Sequence, residues 1–109
     1  MAVNGGPGLV VLYRWKLHPG KEHAFIEAWT AVTRQLLEAG GSLGSRLHRG
    51  PDQTWYAYAQ WESADARRRA FDRTPDARLR AEMSSAIAET YPELILESVA
   101  DFLRVSETR

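Results

Sequence analysis

The chain has 109 residues, about the modal size of one domain, and its 14 Lys and Arg residues balance its 14 Asp and Glu residues. The balanced charge provides no overall field that would favour nucleic acid or an anionic membrane as a partner. Because the sequence has no cysteine, disulfides, thiolate metal ligands and a cysteine nucleophile are excluded.

The distribution of apolar residues predicts a soluble cytoplasmic protein. No apolar run approaches the roughly 20 residues that a membrane span needs, and the first residues lack the basic and apolar regions of a signal peptide. Residues 1–7 contain Asn-Gly-Gly-Pro, which favours loop conformations, so we expect a flexible N-terminal tail. Residues 8–109 are expected to form a single domain.

The first predicted elements are a strand and a helix. Leu9–Leu17 is rich in branched and aromatic residues and has one fully apolar alternating face, from Leu9 to Leu17, which predicts a strand. His18-Pro19-Gly20 then interrupts the strand pattern. Residues 21–39 predict a helix that ends at Gly40-Gly41, because glycine adopts the left-handed conformation after a helix without steric cost. Its apolar residues recur at spacings of four, three and four, namely Phe25, Trp29, Val32 and Leu36.

Two further strands follow as a predicted hairpin. Residues 43–49 form the weaker strand, 50–53 carry turn chemistry, and Trp55–Trp61 (WYAYAQW) forms the stronger strand. A period of two places Trp55, Ala57, Ala59 and Trp61 on one face and Tyr56, Tyr58 and Gln60 on the other. We expect the first face to be the floor of a pocket and the second to meet a partner subunit. A one-residue bulge would exchange the two assignments.

The remainder of the chain predicts a divided helical unit and a last strand. Ser63 is a suitable N-cap for a helix that ends near residue 73, and the arginine run 67–69 is expected to lie on its solvated face. Thr74 is expected to cap a second helix, which Tyr91-Pro92 would end. Its apolar stripe comprises Leu79, Met83, Ala86 and Ile87. Residues 93–105 alternate and predict a long final strand.

This order of elements predicts an α+β fold with the ferredoxin-like βαββαβ arrangement. The sheet would be antiparallel with the helices on one face. The other face would carry apolar residues such as Val10, Leu12, Ile95 and Val99. We therefore expect a homodimer in which two sheets pack against each other.

The sequence resembles the antibiotic biosynthesis monooxygenase-like family of dimeric α+β barrels. The resemblance rests on the run from Trp15 to Glu22 (WKLHPGKE), the following helix with Phe25 and Trp29, and the strand end at 60–63 (QWES) before a helix. It covers nearly the whole chain. Members of this family include oxygenases of aromatic polyketides that need no cofactor, heme-degrading proteins and proteins of unassigned activity.

The resemblance implies a monooxygenase without a cofactor that acts on an aromatic or polycyclic phenol in a pocket between the sheet and the helices. Such enzymes oxidise electron-rich phenols whose anion itself reduces dioxygen, so they need a shaped aromatic pocket and polar groups that favour the anion. The candidate substrate-binding residues are Trp15, Trp29, Trp55, Trp61 and Tyr58. The candidate catalytic residues, which would stabilise a phenolate or accept its proton, are His48, Arg46 and His18.

Heme degradation is disfavoured, because the segment 74–90 has no histidine and the only asparagine is Asn4. The three histidines have no metal-ligand spacing, so we expect neither a metal nor a cofactor.

Each candidate residue also has an ordinary structural interpretation. Aromatic residues at strand and helix spacing form cores, tyrosines line interfaces, and His18 fits a plain turn. Arg46 and His48, which share a predicted face, would then be solvated. The alternative functions are a non-catalytic dimeric protein that binds a small ligand or has an accessory role, and a different reaction, such as isomerisation or dehydration, in the same pocket.

Overall fold

The computed structural model describes residues 8–73 and 76–104, and these form an α+β fold with three helices and one antiparallel sheet. The elements in chain order are β1 (Leu9–Leu17), α1 (Glu22–Ala39), β2 (Ser42–Arg49), β3 (Trp55–Trp61), α2 (Ala64–Arg73), α3 (Ala77–Ser85), β4 (Ile87–Thr90) and β5 (Leu94–Leu96). The predicted N-terminal tail, residues 1–7, lies outside the described residues.

The sheet has the order β2-β3-β1-β4, and β5 also pairs with β1. Each pairing is antiparallel, so the predicted ferredoxin-like arrangement is confirmed. The predicted β2–β3 hairpin is also confirmed. Its turn is held by Asp52, whose carboxylate accepts hydrogen bonds from the backbone N–H and the hydroxyl of Thr54, both at 3.0 Å. These bonds lower the pKa of the Asp52 carboxyl.

The strand β3 separates its side chains into the two faces that its sequence predicts. Trp55, Ala57, Ala59 and Trp61 are buried, whereas Tyr56, Tyr58 and Gln60 are only partly buried. Trp55 pairs with Trp15 of β1 across the sheet, and Ala59 pairs with Val11. The buried face of β3 is therefore continuous with the Val11 and Trp15 face of β1, and this shared face packs against the helices.

The core beneath the helices has two clusters, one near each end of β3. In one, Trp61 packs with Val11, Leu36 of α1 and Ala70 of α2. In the other, Trp55 and Trp15 pack around Phe25 of α1, with Ala57 and Ala86. We call the sheet face that carries these clusters the helix-side face, and the opposite one the open face.

The end of α1 and the start of α2 have the predicted signals, whereas the start of α3 has a different cap. Gly40 follows α1 with a φ of 91°, as expected of a glycine that ends a helix. The hydroxyl of Ser63 accepts a hydrogen bond from the N–H of Ala66 at 3.0 Å and so caps α2. For α3, however, the carboxylate of Asp76 is the cap, since it accepts from the N–H groups of Arg78 and Leu79. The predicted cap Thr74 lies outside the described residues.

The C-terminal part of the chain differs from the prediction. The second helix ends at Ser85, and Ile87–Thr90 is the strand β4, which pairs with β1. The predicted strand 93–105 is reduced to Leu94–Leu96, and residues 97–104 are neither helix nor strand. Periodicity was misleading here because Ile87 continues the apolar spacing of α3 even though it already belongs to a strand.

Among the helices of the described residues, none combines the length and apolar character that crossing a bilayer requires.

Candidate functional site

A cavity of about 280 Å³ lies between the helix-side face of the sheet and the three helices. Its floor comes from β1 and β3, one wall comes from α1, and residues of α2, α3, β2 and β4 complete the lining. Five aromatic residues border it: Tyr13, Trp15, Trp29, Trp61 and Phe71. Ala59 lies between these rings on the floor, and its small side chain leaves room above the sheet.

The aromatic rings hold one another in fixed positions. Tyr13 and Trp15 follow one another on the same face of β1, and their rings are stacked with centroids 5.8 Å apart and planes 2° apart. On the other side of the cavity, the rings of Trp61 and Phe71 lie 5.7 Å apart. Such packed rings offer flat, preorganised surfaces against which a planar aromatic ligand can stack.

One polar network lies beside this cavity, and its centre is the hydroxyl of Tyr13, which is a lining residue. Nε of Arg67 donates a hydrogen bond to that hydroxyl at 3.2 Å, and the Arg67 guanidinium also pairs with the carboxylate of Glu93 at 2.7 Å. The same guanidinium lies over the rings of Tyr13 and Phe71, 5.7 and 5.5 Å from their centroids. Arg67 therefore fixes both the ring and the hydroxyl of Tyr13.

The protonation of Tyr13 follows from its environment. Burial raises the pKa of the Tyr13 phenol above its usual value of 10.0, and the nearby Arg67 only partly opposes this. Tyr13 is therefore a neutral phenol at physiological pH. Because its oxygen already accepts a hydrogen bond from Arg67, its own proton is free to be donated to a ligand oxygen.

Sequence reasoning missed this pair. Arg67 belongs to a run of three arginines, which predicted a solvated helix face. Arg68 and Arg69 fit that prediction, since they are exposed and form ion pairs with Asp65. Arg67 differs because it is four residues before Phe71, a spacing that places both side chains on one flank of α2. This spacing of four residues was the sequence signal that could have distinguished Arg67 from its two solvated neighbours.

Of the five predicted substrate-binding residues, Trp15, Trp29 and Trp61 border the cavity. Trp55 does not. Its ring packs edge to face against Phe25, with centroids 5.8 Å apart, and fills the core at the other end of β3. Trp55 does border a groove outside the cavity, between α1 and the edge strand β2.

Tyr58, Arg46 and His48 lie on the open face. Tyr58 alternates with the buried residues of β3, and in β2 Arg46 pairs with Tyr58 while His48 pairs with Tyr56. All three border a broad concavity on the open face of the sheet. The period of two in β-strands directs their side chains away from the helix-side cavity. Arg46 also contributes to the groove between α1 and β2, because β2 is at the edge of the sheet.

His18 is exposed just after β1, where its backbone N–H donates to the carbonyl of Ala86 at 2.9 Å. The structure therefore brings three of the predicted tryptophans together around the cavity but none of the three predicted catalytic residues.

The charge at the cavity is positive, because Arg80 of α3 is a lining residue and no Asp or Glu of the described chain lines it. Within residues 8–73 and 76–104, no cluster of His, Asp or Glu is suited to hold a metal ion.

Solved structures of other proteins share this fold. SnoaB, a cofactor-independent oxygenase from Streptomyces nogalater, has a TM-score of 0.74 and 14% identity, with 88% of this chain and 97% of that chain covered. An antibiotic biosynthesis monooxygenase-type protein from Bordetella bronchiseptica has a TM-score of 0.72 and 21% identity, with 84% and 97% covered. One from Chloroflexus aurantiacus has a TM-score of 0.73 and 14% identity, with 86% and 95% covered.

At these identities the likeness shows the fold alone. No curated protein matches the chain. The sequence profile of the antibiotic biosynthesis monooxygenase family matches residues 8–79, which is more than half of the chain. The chain therefore belongs to the antibiotic biosynthesis monooxygenase family.

Proposed function

We propose that this protein is a monooxygenase that acts without a cofactor on a small aromatic phenol bound in the helix-side cavity. The observation that carries the proposal is the combination of an aromatic-lined cavity with the hydroxyl of Tyr13, which Arg67 orients. The similarity in fold to SnoaB, which is a cofactor-independent oxygenase, supports the same activity.

In this proposal the cavity selects a flat ring system and favours its anion. Trp15, Trp29 and Trp61 provide stacking surfaces for the substrate. Tyr13 donates a hydrogen bond to the substrate oxygen, and the positive charge of Arg80 lowers the free energy of the phenolate relative to the phenol. Binding in the cavity removes water from around the substrate. The hydrogen bond from Tyr13 and the attraction to Arg80 both become stronger, because the local dielectric constant falls.

The proposed reaction converts a ring CH₂, which becomes conjugated with the phenolate or enolate oxygen when it loses a proton, into a carbonyl. The bound anion gives electrons to dioxygen, a carbon–oxygen bond forms at the former CH₂, and the oxygen–oxygen bond then breaks. One oxygen atom stays on carbon as the carbonyl, while the other leaves as water with the two hydrogens of the CH₂. The CH₂ carbon loses four electrons in becoming a carbonyl carbon, and one dioxygen accepts all four, so dioxygen is the only oxidant required.

Anthrone is a suitable test substrate, since its enol is a phenol and its oxidation gives anthraquinone. We expect dioxygen consumption with anthrone to exceed the rate without enzyme, and Tyr13→Phe to lower the enzymatic rate about a hundredfold, as for the loss of one preorganised donor. Arg67→Gln should lower it less, because the hydroxyl remains but is no longer oriented. The measurement is oxygen uptake with an anaerobic control.

His48→Ala is the matched comparison for this experiment. His48 lies on the open face, so the cavity assignment expects this variant to keep its full rate and its melting temperature. If His48→Ala abolishes turnover while Tyr13→Phe leaves it unchanged, the assignment from the sequence is right and the cavity assignment is wrong.

A second candidate is a ligand-binding protein without catalytic activity. It is favoured by the composition of the cavity, where the lining residues within the described chain include no histidine or carboxylate to accept the substrate's proton. This function would give saturable binding of anthrone without oxygen uptake.

The proposal also includes a homodimer that forms through the open face. Leu12, Tyr58 and Leu103 border the concavity on this face. Beyond β5, Val99 and Phe102 are 88% and 95% exposed, which is costly for apolar side chains of an isolated chain. A second copy packed on the open face would remove this apolar surface from water.

A further inference from the structure

A groove of about 490 Å³ runs outside the cavity, between α1 and the edge strand β2. Ile26, Thr30, Leu47 and Trp55 contribute to its walls. Trp29 and Ser45 border both this groove and the helix-side cavity. The cavity and the groove are therefore adjacent at Trp29 and Ser45. A substituent on a ligand that fills the cavity can extend past these two residues into the groove.

The groove has more arginines among its lining residues than the cavity, which has only Arg80 of the described chain. Two arginines, Arg46 and Arg49, border it, and no acidic residue of the described chain does. Within residues 8–73 and 76–104, neither arginine has a carboxylate partner. The guanidinium of Arg49 lies over the ring of Trp55, 5.3 Å from its centroid. This contact holds the cation at the wall of the groove and leaves its N–H groups available.

We propose that this groove is a binding subsite for a carboxylate carried by the aromatic ligand of the cavity. The inference rests on the proposed function in one respect, namely that the ligand of the cavity is aromatic. The ring system occupies the cavity, and the substituent passes beside Trp29 and Ser45 to reach Arg49 and Arg46. A guanidinium matches a planar carboxylate with two parallel hydrogen bonds, so Arg49 is the main ligand-binding residue of the subsite and Arg46 adds a second positive charge.

Calorimetric titration with two matched probes tests this subsite. The probes are 6-hydroxy-2-naphthoic acid and its methyl ester, which share the phenolic ring system and differ in the negative charge. At pH 7.5 we expect the acid to bind about fivefold more tightly than the ester, a modest preference because both arginines are solvent-exposed. The preference should shrink as salt is added.

Variants of the two arginines identify the group responsible. Arg49→Gln should remove most of the preference for the acid and leave the affinity for the ester unchanged, whereas Arg49→Lys should retain part of it. Arg46→Gln should reduce the preference without disturbing the contact between Arg49 and Trp55. Arg34→Gln is the control, because Arg34 is an exposed arginine of α1 that borders neither space. It should keep the full preference.

The outcomes separate this inference from the proposed function. Equal affinity for the acid and the ester overturns the subsite but leaves the aromatic cavity standing. A preference that disappears in Arg80→Gln and persists in Arg49→Gln also overturns it, because the carboxylate then lies inside the cavity. Failure of both probes and of anthrone to bind contradicts the proposed function itself, and the subsite with it.

Discussion

Two alanines of β3 show how single side chains decide where the cavity is. Ala57 and Ala59 both point from the sheet toward the helices, and both are almost fully buried. Ala57 packs in the cluster that Phe25 and Trp55 fill. Ala59 belongs to the cluster of Trp61 and Leu36 but also borders the cavity. The floor is thus open above one alanine and closed above the other.

This difference predicts opposite results for the same substitution. Ala59→Leu places extra atoms in existing space, so we expect little change in the free energy of unfolding and at least a tenfold loss of affinity for aromatic ligands. Ala57→Leu forces extra volume into a filled core and should cost about 1–3 kcal/mol. Thermal unfolding and titration with 2-naphthol measure both effects. Unimpaired binding by Ala59→Leu would mean that the ligand lies elsewhere.

At the residue scale, the sequence predicts the walls of the cavity better than its polar groups. Trp15, Trp29 and Trp61 follow from strand and helix periodicity, which is a local property. The hydrogen bond between Tyr13 and Arg67 joins residues 54 positions apart, so it depends on how α2 docks against β1. Local patterns carry no information on such a docking, and two of the predicted catalytic residues, Arg46 and His48, lie on the open face of the sheet.

At the scale of elements, predictions are most accurate where several signals agree. The bounds of β1 and β3 match the predicted ones, because each strand has alternating residues and clear turn signals at its ends. The helix α3 is less well specified by its sequence. None of its residues is buried, and its start depends on Asp76. Its position matters for the site, since Arg80 and Met83 form part of the cavity wall.

The cap of α3 can be tested by removing the carboxylate that accepts two backbone hydrogen bonds. Asp76→Ala should lower the free energy of unfolding by about 1 kcal/mol, the usual cost of losing an N-cap. It should also weaken ligand binding, because the cavity wall that carries Arg80 and Met83 loses order. Asp72→Ala, an exposed acidic residue on α2, should change stability by less than about 0.5 kcal/mol. Urea unfolding of the two variants gives the comparison, and equal values would show that the cap has no stabilising role.

The whole molecule presents two faces with different requirements. On the helix-side face, the apolar side chains pack against the helices, and the cavity is the space that this packing leaves unfilled. The open face and the segment 97–104 leave apolar side chains exposed, including Val99 and Phe102. The sequence predicted the apolar character of this region but assigned residues 93–105 to a strand of the same sheet. A strand pattern indicates only that a segment needs pairing, and the partner can belong to another chain.

The open face therefore predicts the oligomeric state. We expect light scattering at micromolar concentration to give a mass of about twice 12.3 kDa. Leu12→Asp introduces a charge into the centre of the open face, and because an unpaired buried charge is costly, it should shift the protein to monomers. Leu37→Asp makes the same change at an exposed position of α1 and should leave the mass unchanged. Circular dichroism checks that both variants are folded. A wild-type mass of one chain would contradict the proposed dimer, and dissociation by Leu37→Asp but not by Leu12→Asp would move the interface from the sheet to the helices.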